Sequence, residues 1–194
     1  MSGGAVEMEA KFGEADFELL RRRLRESGAT RLGRVIETNR FYDRADGGLQ
    51  AAGCGLRLRE LRVLDGSPRA ATITFKGPLQ AGPLKTRPEC ELEILDAGRA
   101  GELLALLGFS EFFCFQKCRE TWRSDACLVE LDEVPVIGRF VEVEGPSRES
   151  VEQVCGRLEL PMARSIRASY LGLLISALRD RGEATRCVKI ENAG

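Results

Sequence analysis

Charged doublets recur along this chain of 194 residues. Carboxylates stand two apart at Glu7/Glu9, Glu91/Glu93, Glu130/Asp132 and Glu142/Glu144, and bases do so at Arg57/Arg59 and Lys117/Arg119. That spacing puts both members on one face of a β-strand, where like charges repel unless an opposite charge or an ion lies across from them. Clustered carboxylates hold hard divalent cations such as Mg2+ or Mn2+ through oxygen, while Lys and Arg hold phosphate oxygens, Arg bidentately. A single such face is also what an ordinary antiparallel strand turns to water, with opposite charges paired across strands; taken together, the two sets suit a polyanion site with a hard metal.

The chain contains no His, which excludes Ser-His-Asp and Cys-His catalysis, HExxH zinc sites and His-ligated haem. Acid, base and ligand roles fall to carboxylates, Lys, Tyr and Cys. Only Cys114 and Cys118 of the seven Cys lie close, and one such pair cannot complete a zinc site. The thiols are expected to be reduced and to serve as small buried hydrophobes. With 29 Lys and Arg against 30 Asp and Glu, no broad electrostatic footprint for nucleic acid is expected. The opening residues are acidic and strand-like where a secretory signal needs a basic and then an apolar run. The longest apolar stretch, Tyr170 to Leu178, is too short to span a membrane. A cytoplasmic protein with neither nucleic-acid nor membrane partners is expected.

The elements that must carry these charges follow from period-two alternation. Val6, Met8, Ala10 and Phe12 oppose Glu7, Glu9 and Lys11; Leu56 and Leu58 oppose Arg57 and Arg59; Ile73 and Phe75 oppose Lys76; Leu92 and Ile94 oppose Glu89, Glu91 and Glu93. Val129 and Leu131 likewise oppose Glu130 and Asp132, and Val141 and Val143 oppose Glu142 and Glu144; residues 38–43 form a further strand. Helical spacing predicts four helices. One uses Phe17, Leu20 and Leu24 before Gly28, one covers 97–107 up to Gly108, one follows Ser147, and one runs from Ser165 to Asp180. Gly- and Pro-rich loops fall at 44–48 and 77–83. A Glu-x-Glu strand followed by a helix occurs three times, which suggests a sheet folded back on itself from two related halves. The helices have apolar faces to cover and the apolar strand faces can cover them, so the charged faces are left to meet in a wet channel. Such a channel is costly to desolvate without partners.

Glu7-Met8-Glu9-Ala10-Lys11 resembles the ExExK signature of the CYTH superfamily, the triphosphate tunnel metalloenzymes, which include class IV adenylate cyclases, thiamine triphosphatases and inorganic triphosphatases. FYDRADGGLQAAGCGLRLRE, TITFKGP, LKTRPECELEI, KCRETW, LVELDEV and GRFVEVEG follow in the family's order, so the similarity covers residues 6–174. KTRPECELE and the late SYLGLL resemble the bacterial class IV cyclase-like group most. The resemblance implies an α+β fold: a closed eight-stranded antiparallel β-barrel enclosing the triphosphate, helices packed outside, in one domain over 1–194. It implies metal ligands Glu7, Glu9, Glu142 and Glu144, with Asp132 and Glu91 as further candidates. It also implies a phosphate clamp of Lys11, Arg57, Arg59, Lys76, Arg87, Lys117 and Arg119, within which Lys11, Lys76 and Arg119 are the catalytic residues. Related cyclases suggest a homodimer. Two departures stand out: Pro88 removes a ladder donor beside Glu89, and Ala168 replaces a basic residue before Ser-Tyr.

The first reaction this implies is metal-dependent cyclisation of ATP, the ribose 3'-hydroxyl attacking the α-phosphorus as pyrophosphate leaves. The second is hydrolysis of tripolyphosphate or an organic triphosphate, such as a thiamine or nucleoside triphosphate. The third is a non-catalytic polyphosphate or nucleotide binder. Gly77 to Thr86 is not a phosphate loop, because two prolines remove backbone donors, and Arg21, Arg22, Arg23 and Arg25 are expected on a solvated helix face.

Overall fold

The computed structural model describes residues 8–63, 71–78 and 87–190, so Glu7 lies outside the described residues, as do residues 79–83 of the second expected loop. Its strands are β1 (Met8–Gly13), β2 (Thr30–Arg44), β3 (Gly55–Val63), β4 (Ala71–Lys76), β5 (Glu89–Ile94), β6 (Phe109–Ser124), β7 (Cys127–Val134), β8 (Gly138–Gly145) and β9 (Cys187–Val188). Five helices join them: α1 (Phe17–Glu26), α2 (Gly48–Ala51), α3 (Ala97–Leu106), α4 (Arg148–Arg157) and α5 (Tyr170–Asp180). Eight strands pair antiparallel in the order β1-β8-β7-β6-β2-β3-β4-β5, and β9 adds parallel to β6.

The α+β architecture with an antiparallel sheet is as expected, but hydrogen bonds do not close it. Among the described residues no ladder joins β1 to β5, the two ends of the strand path. The sheet nevertheless curls far enough that all eight of these strands line one cavity.

Two helices pack on the outer face of β1, β8 and β7, as the apolar parity requires. Phe17, Leu20 and Leu24 of α1 and Val151 and Val154 of α4 meet Ala10, Val129, Leu131, Val141 and Val143. Each large apolar side chain buried in this way contributes roughly 1.5–3 kcal/mol. Asp16 caps α1 by accepting from the Glu18 and Leu19 amides, and Gly28 ends the turn with a φ of 77° that a side chain would resist. A Cβ at Gly145 would lie 2.6 Å from Cys127 Sγ, so only Gly lets the end of β8 approach this closely. On the other side, Ala100 and Leu104 of α3 cover Leu56 and Leu58.

The helix α5 departs from the expectation that all helices lie outside. Its Tyr170, Leu174 and Leu178 pack with Phe113, Phe115, Val134 and Phe140. Those four share strand parity with Lys117, Asp132 and Glu142, so toward this end the inner face of the sheet is apolar and α5 enters as a stopper. It also starts later than Ser165. Residues 165–169 are not helical: the Ile166 amide bonds the Lys11 carbonyl at 2.8 Å, and Ser169 caps the helix through the Gly172 amide.

Further differences have local causes. The strand expected at 38–43 extends over Thr30–Arg44, since its buried face carries Glu37 and Asn39 and shows no apolar alternation. Pro88 precedes β5 instead of interrupting it, and its carbonyl accepts from the Gly77 amide at 2.8 Å. All seven Cys are free, but only Cys114, Cys118, Cys127 and Cys155 are buried; Cys90 is exposed. The arginines of α1 find partners within the chain, Arg21 on Glu120 and Arg23 on Glu159. Among the described residues no helix is long and apolar enough to cross a membrane.

Candidate active site

The inner faces of the strands line a cavity of ≈ 600 Å³ in which most acids and most bases gather on different strands, Lys11 on β1 and Glu89 and Glu91 on β5 being the exceptions. The acids Glu9, Glu130, Glu142 and Glu144 come from the adjacent strands β1, β7 and β8, and the bases Lys117, Arg119, Arg57, Arg59 and Lys76 from β6, β3 and β4. Register makes this sorting possible. Lys11 sits opposite Glu142, Glu9 opposite Glu144, Glu142 opposite Glu130, and Arg119 opposite Asp132, so parity keeps each pair on one face.

The deepest knot surrounds Asp132, whose side chain has 0% exposure. It accepts from Lys117 Nζ at 2.9 Å, Arg119 Nε at 2.7 Å, Arg119 Nη2 at 2.6 Å and the Tyr170 hydroxyl at 2.8 Å. Burial pushes this carboxyl up, and Arg119 and Lys117 more than reverse the effect, leaving it below the usual range. Arg119 also pairs with Glu142 at 2.5 Å and with Glu130. Burial lifts the Glu130 carboxyl to about 7, against the pull of Arg119. Burial alone would lower the Lys11 ammonium, but Glu142 at 3.0 Å and Glu9 at 3.2 Å raise it above the ordinary lysine value.

Behind these bases lies Glu37. Its Oε2 is 3.4 Å from both Lys117 Nζ and Arg59 Nη2, and its Oε1 is 3.8 Å from Arg119 Nε. Burial favours the neutral acid, yet Lys117, Arg59 and Arg119 bring its pKa down to about 2.

The balance reverses on β3 and β4. Burial, followed by repulsion from Arg59, lowers Arg57 to about 9, and burial with Arg57 alongside also lowers Lys76. Arg57 Nη2 donates to Thr74 Oγ1 at 3.1 Å, while its buried Nε has no hydrogen-bond acceptor. Glu91 accepts from Thr74 Oγ1 at 2.6 Å, and Glu89 lies 2.5 Å from Lys76 Nζ.

The cavity therefore brings together Lys11, Arg57, Arg59, Lys76, Arg87, Lys117, Arg119, Glu9, Glu91, Glu142 and Glu144. Glu91 is separated from the other expected metal ligands, standing on β5 with its Oε2 3.7 Å from Arg57 Nη2. Oxygens of Glu130, Asp132 and Glu142 lie within 4.8 Å of one another, a spacing that suits one metal ion. This group joins the expected Asp132 and Glu142 with Glu130; Arg119 engages all three, Lys117 and Tyr170 also engage Asp132, and Glu9 and Glu144 line the same cavity.

Sequence reasoning missed Glu37, Asn39, Glu130 and Tyr170 as site residues. The Tyr170 ring lies 4.3 Å from Lys11 Nζ and 4.8 Å from Lys117 Nζ, and Lys11 also donates to the Ala168 carbonyl at 3.1 Å. The segment leading into α5 thus holds two of the tunnel's lysines.

A fold of this kind, with opposed charges sorted inside a curled antiparallel sheet, is the CYTH architecture. The model of the CYTH domain matches residues 5–167, and the chain belongs to that family. It is 25% identical over 177 residues to a Methanocaldococcus jannaschii protein named "Putative adenylate cyclase MJ0240", covering 87% of this chain and 98% of the relative. Among solved structures it is similar to the PH1819 protein of Pyrococcus horikoshii OT3, with a TM-score of 0.75 and 31% identity over 88% of this chain and 98% of that one. It also shares its fold with HpAC1 of Hippeastrum, described as an adenylyl cyclase candidate with a dominant triphosphatase activity, at a TM-score of 0.64 and 18% identity over 93% and 97% of the two chains.

Proposed function

We propose that the protein is a metal-assisted enzyme acting on a triphosphate, with conversion of ATP to cyclic AMP and pyrophosphate as the leading reading. The observation that carries the triphosphate reading is the crowding of half-buried cations on β3 and β4. An arginine lowered to about 9 with an unmatched Nε is stable only at a cost, and a polyanion lying against Arg57, Arg59, Lys76 and Arg87 removes that cost.

In this reading Lys11, Lys117 and Arg119 bind phosphate oxygens from the opposite wall, and Lys11, Lys76 and Arg119 stabilise the charge that develops on them during reaction. Glu9, Glu142, Glu144 and Glu130 hold Mg2+ or Mn2+, joined by Glu7. The ion, when bound, supplies neutralisation of phosphate charge. Asp132 serves by fixing Lys117 and Arg119, whose ends would otherwise lose their shared anchor. Held in line, the 3'-hydroxyl attacks the α-phosphorus and gives up its proton to solvent as the bond to pyrophosphate breaks.

Hydrolysis of the triphosphate is the second reading, favoured by the triphosphatase activity described for HpAC1. Incubation with ATP or tripolyphosphate and Mg2+ or Mn2+, followed by chromatography, separates the two. Cyclic AMP with pyrophosphate supports cyclisation and orthophosphate supports hydrolysis. An absence of turnover leaves a triphosphate binder.

A further inference from the structure

Among the described residues, the chain beyond α5 rejoins the sheet through β9, a strand of two residues. Cys187 stands opposite Cys114 and Val188 opposite Phe115 in a parallel ladder, and the Cys114 amide donates to the Arg186 carbonyl at 2.7 Å. The two residues of β9 face opposite ways. Val188 is buried in the cluster of Phe115, Tyr170, Leu174 and Leu178, through which α5 stoppers the tunnel. Cys187 lies on the other face, with Cys114 as its direct neighbour.

Neighbouring strands are about 4.8 Å apart, inside the roughly 4.4–6.8 Å of Cα separation that a disulfide spans. The two thiols already hydrogen-bond each other. They differ in access: Cys114 is buried and Cys187 half-buried. Burial, and then the adjacent Cys187, push the Cys114 thiol up to about 12, so an oxidant from solvent meets Cys187 first. Arg40, paired with Cys114 across the β2–β6 ladder, favours the thiolate that Cys114 must become to react in its turn.

We propose that Cys114 and Cys187 are a reversible modification site, closed to a disulfide by a hydroperoxide. The Cys187 thiolate attacks one peroxide oxygen and the O–O bond breaks. Cys187 becomes a sulfenic acid, and the other oxygen leaves as water or an alcohol with the proton that Cys187 gave up. The Cys114 sulfur then attacks the Cys187 sulfur, and hydroxide leaves as water with the Cys114 proton. Two thiols lose two electrons and one peroxide gains them. The bond turns a two-residue strand into a covalent anchor for the far end of α5. It closes a loop that contains Lys117, Arg119, Asp132, Glu142 and Tyr170, which restricts the unfolded chain. The oxidation state of the pair thereby sets how firmly α5 is held in the curl.

The test treats the reduced protein with hydrogen peroxide, alkylates the remaining thiols, digests with trypsin without reductant and identifies linked peptides by mass spectrometry. Trypsin cuts after Arg99, Lys117, Arg186 and Lys189, so the expected product joins residues 100–117 to residues 187–189. It is two hydrogens lighter than the separate peptides and disappears on treatment with dithiothreitol. The oxidised protein is expected to melt about 5–10 °C above the reduced one. Cys187→Ser is expected to show neither the product nor the shift, and Cys90→Ser, which removes the exposed thiol, to keep both. Oxidation of Cys187 without that product, a different pairing such as Cys127 with Cys155, or the same shift in Cys187→Ser overturns the proposal.

Discussion

Glu37 offers the most quantitative check on the electrostatics of the tunnel. Its carboxylate is buried among Lys117, Arg59 and Arg119, which lower its pKa from 4.5 to about 2. At about 1.4 kcal/mol per decade of pH, that difference is worth roughly 3 kcal/mol of folding stability. Because the folded value is the lower one, the stabilisation is fully present above 4.5 and drains away as pH falls through that value toward about 2. Glu37→Gln keeps the shape, removes the charge and removes this pH dependence. Urea unfolding of both proteins, in steps from about pH 6 to about pH 3, gives a difference in unfolding free energy at each step. Other carboxylates titrate in both proteins and largely cancel. The difference is expected to narrow by about 1–2 kcal/mol over that range, most of it below pH 4.5. A difference that stays constant would show that the three cations do not hold Glu37 ionised, and the proposed support behind the phosphate clamp would fail with it.

The remaining predictions concern single positions. Asp132→Asn strips the shared anchor from Lys117 and Arg119 and is expected to cost about 3–5 kcal/mol in urea unfolding; a cost below about 1 kcal/mol contradicts the described knot. Tyr170→Phe removes one hydrogen bond but keeps the ring beside both lysines, so a loss of about 1–2 kcal/mol is expected, with Tyr170→Ala losing more. Glu9→Gln is expected to abolish metal-dependent turnover while shifting stability by no more than about 1 kcal/mol, because its pair with Lys11 is partly exposed; full activity removes Glu9 from the metal set. Arg57→Ala should raise KM for a triphosphate about tenfold without lowering thermal stability, since it relieves repulsion from Arg59; unchanged kinetics exclude it from the clamp.

The charged half of the tunnel was legible wherever apolar and charged residues alternate. Glu9 and Lys11, Arg57 and Arg59, and Glu142 and Glu144 announce both the strand and the face, while the roles proposed for them come from the ExExK resemblance. Glu37 and Asn39 were hidden because the strand around them reads Ile-Glu-Thr-Asn-Arg-Phe-Tyr, with no regular apolar parity, and their partners come from distant segments. Glu130 was seen as a strand residue but not as part of the site. Its place there depends on standing opposite Glu142, a matter of register between strands. Tyr170 looked like one more apolar residue on a helical stripe. A signal was nevertheless available: Phe113 and Phe115 precede Lys117 and Arg119 at the same parity, so one strand face changes from apolar to charged. Such a face needs a hydrophobic partner at one end, and α5 is that partner. Separating Glu91 from the acid group required the strand order, which puts β5 at the far end of the path from β1.

The open path between β1 and β5 has a mechanical consequence. In a fully hydrogen-bonded barrel, strand number and stagger set the radius, and changing it means breaking a ladder. Here, among the described residues, no ladder joins β1 to β5, so strand number and stagger do not fix the girth. What crosses the interior instead is α5, whose Tyr170 hydroxyl reaches Asp132 on β7 and whose ring lies beside Lys11 on β1 and Lys117 on β6. A helix set inside the curl does there what a closing ladder does in a barrel.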